Sequence, residues 1–503
     1  MRRMTHSDRI ARPRLFRAVA LAVFLAGCGD DARGPTAAPS YTPTFEEAAC
    51  WDGGTDPTVT CGYVTVPENR DEPRGRKVRL AVARLASHAA QPGTPLLYLH
   101  GGPGGSSLSN LAGWSGSALR DERDLVLLDQ RGSGRSTPSL DCPERADVTW
   151  QTFAMAGDLE AERRLYLEAT AACRDRLVAD GVDLTQYDTV SNAGDVADVR
   201  IALGIDEWNL YGISYGTTLA LEVMRSHPEG IRSVVLDGTY PLDQGPGVGR
   251  EATTADRSLR AVHDGCSRDP ACVERMEGSF LGYLAATVAE FDADPYELQG
   301  TDERTGLTYD LKLDGADVFA GIFNAMYDTA LVAILPTVVE QVRSRNPVFL
   351  QTAADGGIHR INDLHEMAFI AIECRDRGHE WTLVDTEALL VQRPELSTLY
   401  NVFAQTFCEV ADVGTVEPPR TTPVVSDIPT LVMGGEFDPI TPPDWGEAAA
   451  RHLSRGTYFE FPGIGHGSTP ADPCPFSMMT AFLRDPETTP DGSCIAEMNV
   501  PFP

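Results

Sequence analysis

The chain has 503 residues, 42% hydrophobic and 23% charged. That is ordinary globular composition, and it excludes a mainly disordered chain, a collagen and a multi-span membrane protein. Its 73 Asp and Glu against 42 Lys and Arg give a formal charge of −31; a protein this acidic repels phosphate backbones, so nucleic acid is not expected as a partner. The length accommodates two to four units of about 100–200 residues, or one large α/β core carrying an insertion.

The N-terminus is an address. Arg2, Arg3, Arg9, Arg12, Arg14 and Arg17 precede an apolar run from Ala18 to Ala26. The run is too short to span a bilayer, which takes about 20 residues, but it suits the core of a signal peptide. It ends in Leu25-Ala26-Gly27-Cys28, which resembles the lipobox of bacterial lipoproteins, in which the Cys carries the lipid and becomes the new N-terminus. Residues 1–28 are therefore expected to be a signal peptide with Cys28 as lipid attachment site, and membrane contact is expected only through that lipid; the alternative is an ordinary secretory signal that happens to contain a Cys, on a secreted protein. Residues 29–49, rich in Gly, Pro, Ala, Ser and Thr without helical or strand period, read as a flexible tether. The chain has 11 Cys; setting Cys28 aside leaves an even number, which in an oxidising compartment suggests up to five disulfides. Neighbours in chain order (Cys50 with Cys61, Cys142 with Cys173, Cys266 with Cys272, Cys374 with Cys408, Cys474 with Cys494) offer the short loops, although sequence does not fix connectivity.

Residues 59–66 and 77–85 read as antiparallel strands. Pro95 to His100 is a short apolar run feeding Gly101-Gly102-Pro103-Gly104-Gly105, the pattern of a buried strand entering a glycine-rich turn. A second run, Asp124 to Asp129, leads into Gln130-Arg131-Gly132-Ser133-Gly134-Arg135-Ser136. Helical stretches follow near 155–180 and 193–203. Trp208 to Tyr211 is a strand, then come Gly212-Ile213-Ser214-Tyr215-Gly216 and a helix to about His227, and Arg232 to Asp237 is another strand. Strands alternating with helices imply a parallel sheet. The alternation stops near 245, reads mostly helical to about 425, and resumes with Pro429 to Gly435, a helix at 443–453 and the strand Thr457 to Phe461. The expected division is a core of 50–244 and 426–503 interrupted by a helical insertion of 245–425.

Gly212-x-Ser214-x-Gly216, after a strand and before a helix, is the context a nucleophile elbow requires; the alternative is a plain strand–helix turn whose Ser caps the helix. A serine hydroxyl needs a base, and the base an orienting carboxylate. Asp438 follows a strand and His466 lies in a loop after the last one, so Asp438 would fix the imidazole and His466 would relay the proton of Ser214. Asp237 and Glu436 compete for the acid role. His452 reads as a surface residue, and His263, His359, His365 and His379 lie in the insertion. An oxyanion needs two backbone donors, here expected from the N–H groups of Tyr215 and Gly102. The Gly-Lys-Ser/Thr ending of a phosphate-binding loop is missing, as are Cys-x-x-Cys and His-Glu-x-x-His, so no cofactor or metal is expected.

The stretches His100–Gly105, Asp129–Ser136, Gly212–Thr217, Gly435–Pro442 and Gly463–His466, in this order and spacing over about residues 60–480, resemble the prolyl and tripeptidyl aminopeptidase family of α/β-hydrolases, in particular exported tripeptidyl-aminopeptidase-like proteins of bacteria. The resemblance implies an α/β-hydrolase fold, with a mostly parallel central sheet flanked by helices and a helical cap, and a serine hydrolase that releases short pieces from free peptide N-termini. The alternative is a carboxylesterase acting on small acyl esters with the same triad; a non-catalytic binding protein would have lost a triad member, and none is lost. The resemblance also points to Ile372-Glu373-Cys374-Arg375-Asp376, where Glu373 and Asp376 are candidate anchors for a substrate amine and Arg375 would partly neutralise them. Thr441 is expected to position Asp438 or to line the site. The 129–136 motif is expected to be scaffold, its Arg residues pairing with carboxylates.

Overall fold

The structure, a computed structural model, describes residues 41–51, 56–244, 250–302, 305–351, 354, 364–377, 387–402, 405–417 and 420–498. The signal peptide, Cys28, most of the tether, His359 and His379 lie outside these residues.

A nine-stranded sheet organises the body from Thr42 onward, in the order β1-β2-β3-β5-β4-β6-β7-β10-β11. β1 (Thr44–Ala48), β2 (Val59–Pro67) and β3 (Lys77–Leu85) run antiparallel and hand over to β5 (Arg123–Leu128). From β5 the sheet is parallel through β4 (Gly93–Leu99), β6 (Trp208–Ile213), β7 (Ile231–Asp237), β10 (Thr430–Gly435) and β11 (Gly456–Phe461). The parallel strands are almost continuously apolar because both faces are covered. Val126, Leu210, Val234 and Val432 enter one buried cluster, while Leu125, Leu127, Val235 and Leu431 enter the other.

The chain order reverses between β4 and β6, which opens a crevice at the carboxyl ends of the strands, the usual ligand site of such sheets. His100–Gly105, Ser214, Gly238, Asp438 and His466 all follow those ends.

β7 pairs directly with β10, with Val234 opposite Thr430, so the chain leaves the sheet after Asp237 and returns to the adjacent slot. The intervening helices from Arg250–Ser267 to Leu335–Arg343 pack around a separate apolar cluster that includes Leu259, Phe280, Phe291, Phe319 and Leu335, whereas Glu366–Arg377 and Gln405–Ala411 join another with Leu140, Leu177 and Tyr187. Three features depart from the sequence expectation. The hairpin of β8 (Tyr296–Thr301) and β9 (Thr308–Leu313) interrupts the helices. The end of the stretch that reads as mostly helical is broken into three short helices, Glu387–Gln392, Ser397–Val402 and Gln405–Ala411, with Pro394 after the first, where a missing N–H and a fixed φ stop a helix. The tether gives way to β1 at Thr44: the mostly exposed strand shows no hydrophobic period, and backbone pairing with β2 holds it while Phe45 lies over Gly62.

All five disulfides join chain-order neighbours, with Cα–Cα distances of 5.1 to 5.8 Å. Five such bonds suggest an exported protein. Among the described residues no helix is long and apolar enough to cross a membrane.

Candidate active site

Ser214 sits between β6 and the helix Tyr215–Ser226 with φ 58° and ψ −127°. Positive φ in a non-glycine residue is a strained conformation, tolerated where the surroundings overdetermine it. The Ser214 N–H donates to the carbonyl of Asp237 at 3.1 Å, and its carbonyl accepts from Thr217 N and Oγ1 at 2.8 and 2.6 Å. The side chain does not cap the helix, so the plain capping role falls away. The flanking glycines serve close approach rather than φ. A Cβ on Gly212 would stand 2.4 Å from the Gly216 carbonyl oxygen, and one on Gly216 would stand 2.0 Å from that of Leu99.

Asp438 is fully buried and saturated with donors. Its Oδ1 accepts from the N–H groups of Ile440 (3.0 Å) and Thr441 (2.8 Å), and its Oδ2 from Thr441 Oγ1 (2.7 Å) and His466 Nδ1 (2.8 Å). A carboxylate only accepts, so the imidazole proton lies on Nδ1 and leaves Nε2 as an acceptor. Thr441 thus positions Asp438 and also lies 3.1 Å from His466 Nδ1. The insertion supports the ring as well: Tyr327 packs edge-on at 5.0 Å and accepts the His466 N–H on its carbonyl at 3.1 Å.

Neighbouring backbone brings this pair to the serine. A Cβ on Gly238, the residue after the carbonyl that Ser214 binds, would lie 3.4 Å from both Asp438 Oδ2 and His466 Cε1. A Cβ on Gly467 would lie 3.5 Å from Ile213 Cγ2, so the residue after the histidine abuts the residue before the serine. On the other side a Cβ on Gly101 would meet Ser214 Cβ at 2.8 Å and Oγ at 3.4 Å. Gly102 has φ +118°, a conformation open to glycine. The Gly105 N–H closes the turn on the Gly101 carbonyl at 3.3 Å.

The 129–136 motif braces that turn. Buried Asp129 accepts from Ser106 Oγ (3.0 Å) and from the N–H groups of Leu108 (3.1 Å) and Arg135 (2.7 Å). Burial raises its carboxyl to about 6 against these bonds. Arg131 grips Asp195 through Nε and Nη2, both at 2.7 Å.

The rival acids have other partners. Asp237 accepts from Ser468 N, Thr469 N and Thr469 Oγ1 at 2.8, 2.8 and 2.7 Å, holding the loop just beyond His466. Glu436 accepts from Gly463 N at 2.9 Å. His452 is exposed.

The Cys374 stretch lies on the helix Glu366–Arg377 and splits. Glu373 is partly accessible; Tyr240 donates its hydroxyl to it at 3.4 Å, and the Arg377 guanidinium lies 3.7 Å away and 3.8 Å over the Tyr240 ring. Glu251, unremarked in the sequence, is close enough that the Glu373 charge, after burial, raises it to about 8. Only spatial proximity reveals it, since the two are more than a hundred residues apart. Asp376, expected beside Glu373 as a second anchor, is 5% exposed and bonds the N–H and hydroxyl of Thr189. Arg375 does not neutralise the pair; it binds Asp188 at 3.0 Å and the Val413 carbonyl at 2.7 Å. The one cluster with ligand-like spacing among the described residues is Cys142, Glu144 and Cys173, but its sulfurs are joined in a disulfide and Glu144 pairs with Arg176.

A parallel sheet with a strained serine at the central strand and an acid–histidine pair after later strands is the arrangement of a serine hydrolase. The model of the alpha/beta hydrolase fold matches residues 94–469, and the chain belongs to this family. It is 26% identical to the serine protease Hip1 of Mycobacterium tuberculosis, over 98% of this chain and 99% of that protein. It is 28% identical to carboxylesterase B of Mycobacterium tuberculosis over 88% and 86% of the two chains, and 33% identical to the tripeptidyl aminopeptidase of Streptomyces coelicolor over 36% and 35%.

Proposed function

We propose that this chain is a serine peptidase that releases short pieces from free peptide N-termini through an acyl-enzyme. Ser214 Oγ attacks the scissile carbonyl while His466 Nε2 takes its proton, and Asp438 stabilises the imidazolium. The Tyr215 and Gly102 N–H groups receive the oxyanion. His466 then gives its proton to the departing amine; a water, deprotonated by the same nitrogen, releases the acyl group and restores Ser214.

The observation that carries the reading is the His466–Asp438 pair, bonded at 2.8 Å and lying beside Gly238, the residue after the carbonyl that holds the Ser214 N–H. What supports a peptide amine over a neutral ester is Glu373, which stays partly accessible beside Arg377 and whose charge adds to the burial that raises Glu251; an ammonium there would favour the ionised form of both carboxyls. The likeness to a carboxylesterase supports the second reading, small acyl esters on the same triad. The test is a panel of chromogenic mono-, di- and tripeptide amides, free and N-blocked, beside p-nitrophenyl esters. Free-amine peptides cleaved best, and lost on blocking, support the peptidase; esters cleaved well with peptides inert would overturn it. Ser214→Ala should lower either activity by about 10⁴–10⁶-fold.

The insertion 245–425 acts in this reading as a cap that carries the amine anchor. The N-terminal 28 residues direct export, and Cys28 holds the enzyme at the bacterial envelope through a lipid. Metabolic labelling with palmitate, lost in Cys28→Ala, checks the anchor.

A further inference from the structure

One helix of the insertion, Glu366–Arg377, touches both sides of the expected oxyanion site. At its start the His365 N–H donates to the Gly104 carbonyl at 3.0 Å, and His365 Nδ1 accepts the Gly134 N–H at 3.3 Å. A Cβ on Gly102 would stand 3.2 Å from Leu364 Cδ2. This residue pair therefore clips the glycine turn to the 129–136 loop from above. Near its end, Asp376 accepts the Thr189 hydroxyl; Tyr215 donates its own hydroxyl to Thr189 Oγ1 at 2.8 Å, and Asn192 Nδ2 donates to the Tyr215 oxygen at 3.3 Å. That direction belongs to the ionised Asp376, which can only accept; burial and the nearby Asp188 raise its carboxyl to about 8, and the hydrogen-bonded contacts among Asp376, Thr189 and Tyr215 are the same whichever group carries the proton.

We propose that His365 and Asp376 are positioning residues that hold the two oxyanion donors, Gly102 and Tyr215, in register from opposite ends of one helix. The proposal rests on the hydrolase reading above, and it gives Asp376 a task other than binding substrate. The physical argument is rigidity. The two donors come from segments more than a hundred residues apart, and a misplacement of about 1 Å at a reacting centre can cost about 10²-fold in rate. A twelve-residue helix pinned by the Cys374–Cys408 disulfide and by the Arg375–Asp188 ion pair fixes that distance. His365 serves only as a neutral imidazole, since Nδ1 must accept; burial lowers its affinity for a second proton. Glu373 lies on the same helix, so the proposed amine anchor and the oxyanion support share one rigid element.

The experiment compares His365→Leu, His365→Asn and Thr189→Val with wild type, on a chromogenic peptide and on a p-nitrophenyl ester. The readouts are kcat, KM, the inhibition constant of a peptide aldehyde, and melting temperature. Removing a donor outright costs about 10²–10³ in kcat; displacing one should cost about tenfold to a hundredfold. The expectation is that kcat and aldehyde affinity fall together by this factor in His365→Leu and Thr189→Val, with KM within about threefold. His365→Asn, whose amide oxygen can replace Nδ1 as acceptor, recovers most of kcat. The proposal is overturned if KM rises with kcat unchanged, if His365→Asn is as slow as His365→Leu, or if melting temperature falls while kcat per folded enzyme does not. The ester arm separates the two claims: inert peptides would sink the peptidase reading, while ester kinetics still decide the positioning.

Discussion

Asp438→Asn isolates the orienting carboxylate without disturbing packing. The new amide can enter in only one direction. The Oδ1 position faces two backbone donors, Ile440 N at 3.0 Å and Thr441 N at 2.8 Å, so oxygen must stay there. The NH₂ then takes the Oδ2 position, facing His466 Nδ1 at 2.8 Å and Thr441 Oγ1 at 2.7 Å. As a donor it forces Nδ1 to accept, which moves the imidazole proton to Nε2 and leaves no base for Ser214. The hydroxyl of Thr441 turns to accept, so all hydrogen bonds persist and stability should change by less than about 1 kcal/mol. A wrong tautomer in a triad costs about 10⁴ in kcat, about 5.5 kcal/mol in the barrier. The assay is steady-state hydrolysis of the best chromogenic substrate, with active sites titrated by a fluorophosphonate and melting temperature recorded in parallel. A loss of less than about tenfold, in protein of unchanged melting temperature, would refute the assignment of Asp438 and return Asp237 to consideration.

Gly216→Ala should destabilise the fold by about 3 kcal/mol or more, because its Cβ would stand 2.0 Å from a backbone carbonyl that cannot move aside; chemical denaturation measures this. Glu373→Gln should raise KM for free-amine peptides about tenfold, the scale of one charge-assisted hydrogen bond, and leave ester KM unchanged. Glu251 makes a linkage prediction. Its folded carboxyl sits at about 8 against an ordinary 4.5, so the folded state holds the extra proton between those values. Stability should therefore fall as pH rises from about 4.5 through about 8, and Glu251→Gln should flatten that slope in denaturant titrations. The same carboxyl should release a proton when a free-amine tripeptide binds at pH 7. Calorimetry in buffers of different ionisation enthalpy would show this, and an N-acetylated tripeptide should show none.

Local chemistry is what the sequence determined by itself. The Gly-x-Ser-x-Gly elbow, the glycine turn after β4, and Asp438 and His466 after late strands are legible because each is a strand end followed by residues suited to a tight turn, and such turns depend on near neighbours. The disulfide pairs, although open in principle, fell within short separations for the same reason. Tertiary structure alone decided the rest. The elbow strain resides in Ser214 itself; Gly216 is required by the Leu99 carbonyl of a neighbouring strand, and Gly212 by the Gly216 carbonyl across the turn. Asp376 and Glu373 are three positions apart on one helix, yet one faces Thr189 and the other Tyr240, a difference no spacing rule expresses without knowing what packs on each face. Glu251, His365 and Tyr327 gain their importance from partners about a hundred or more residues away. Proximity of that kind follows from burying two sheet faces and an inserted helical layer at once, which is a property of the whole chain rather than of any window along it.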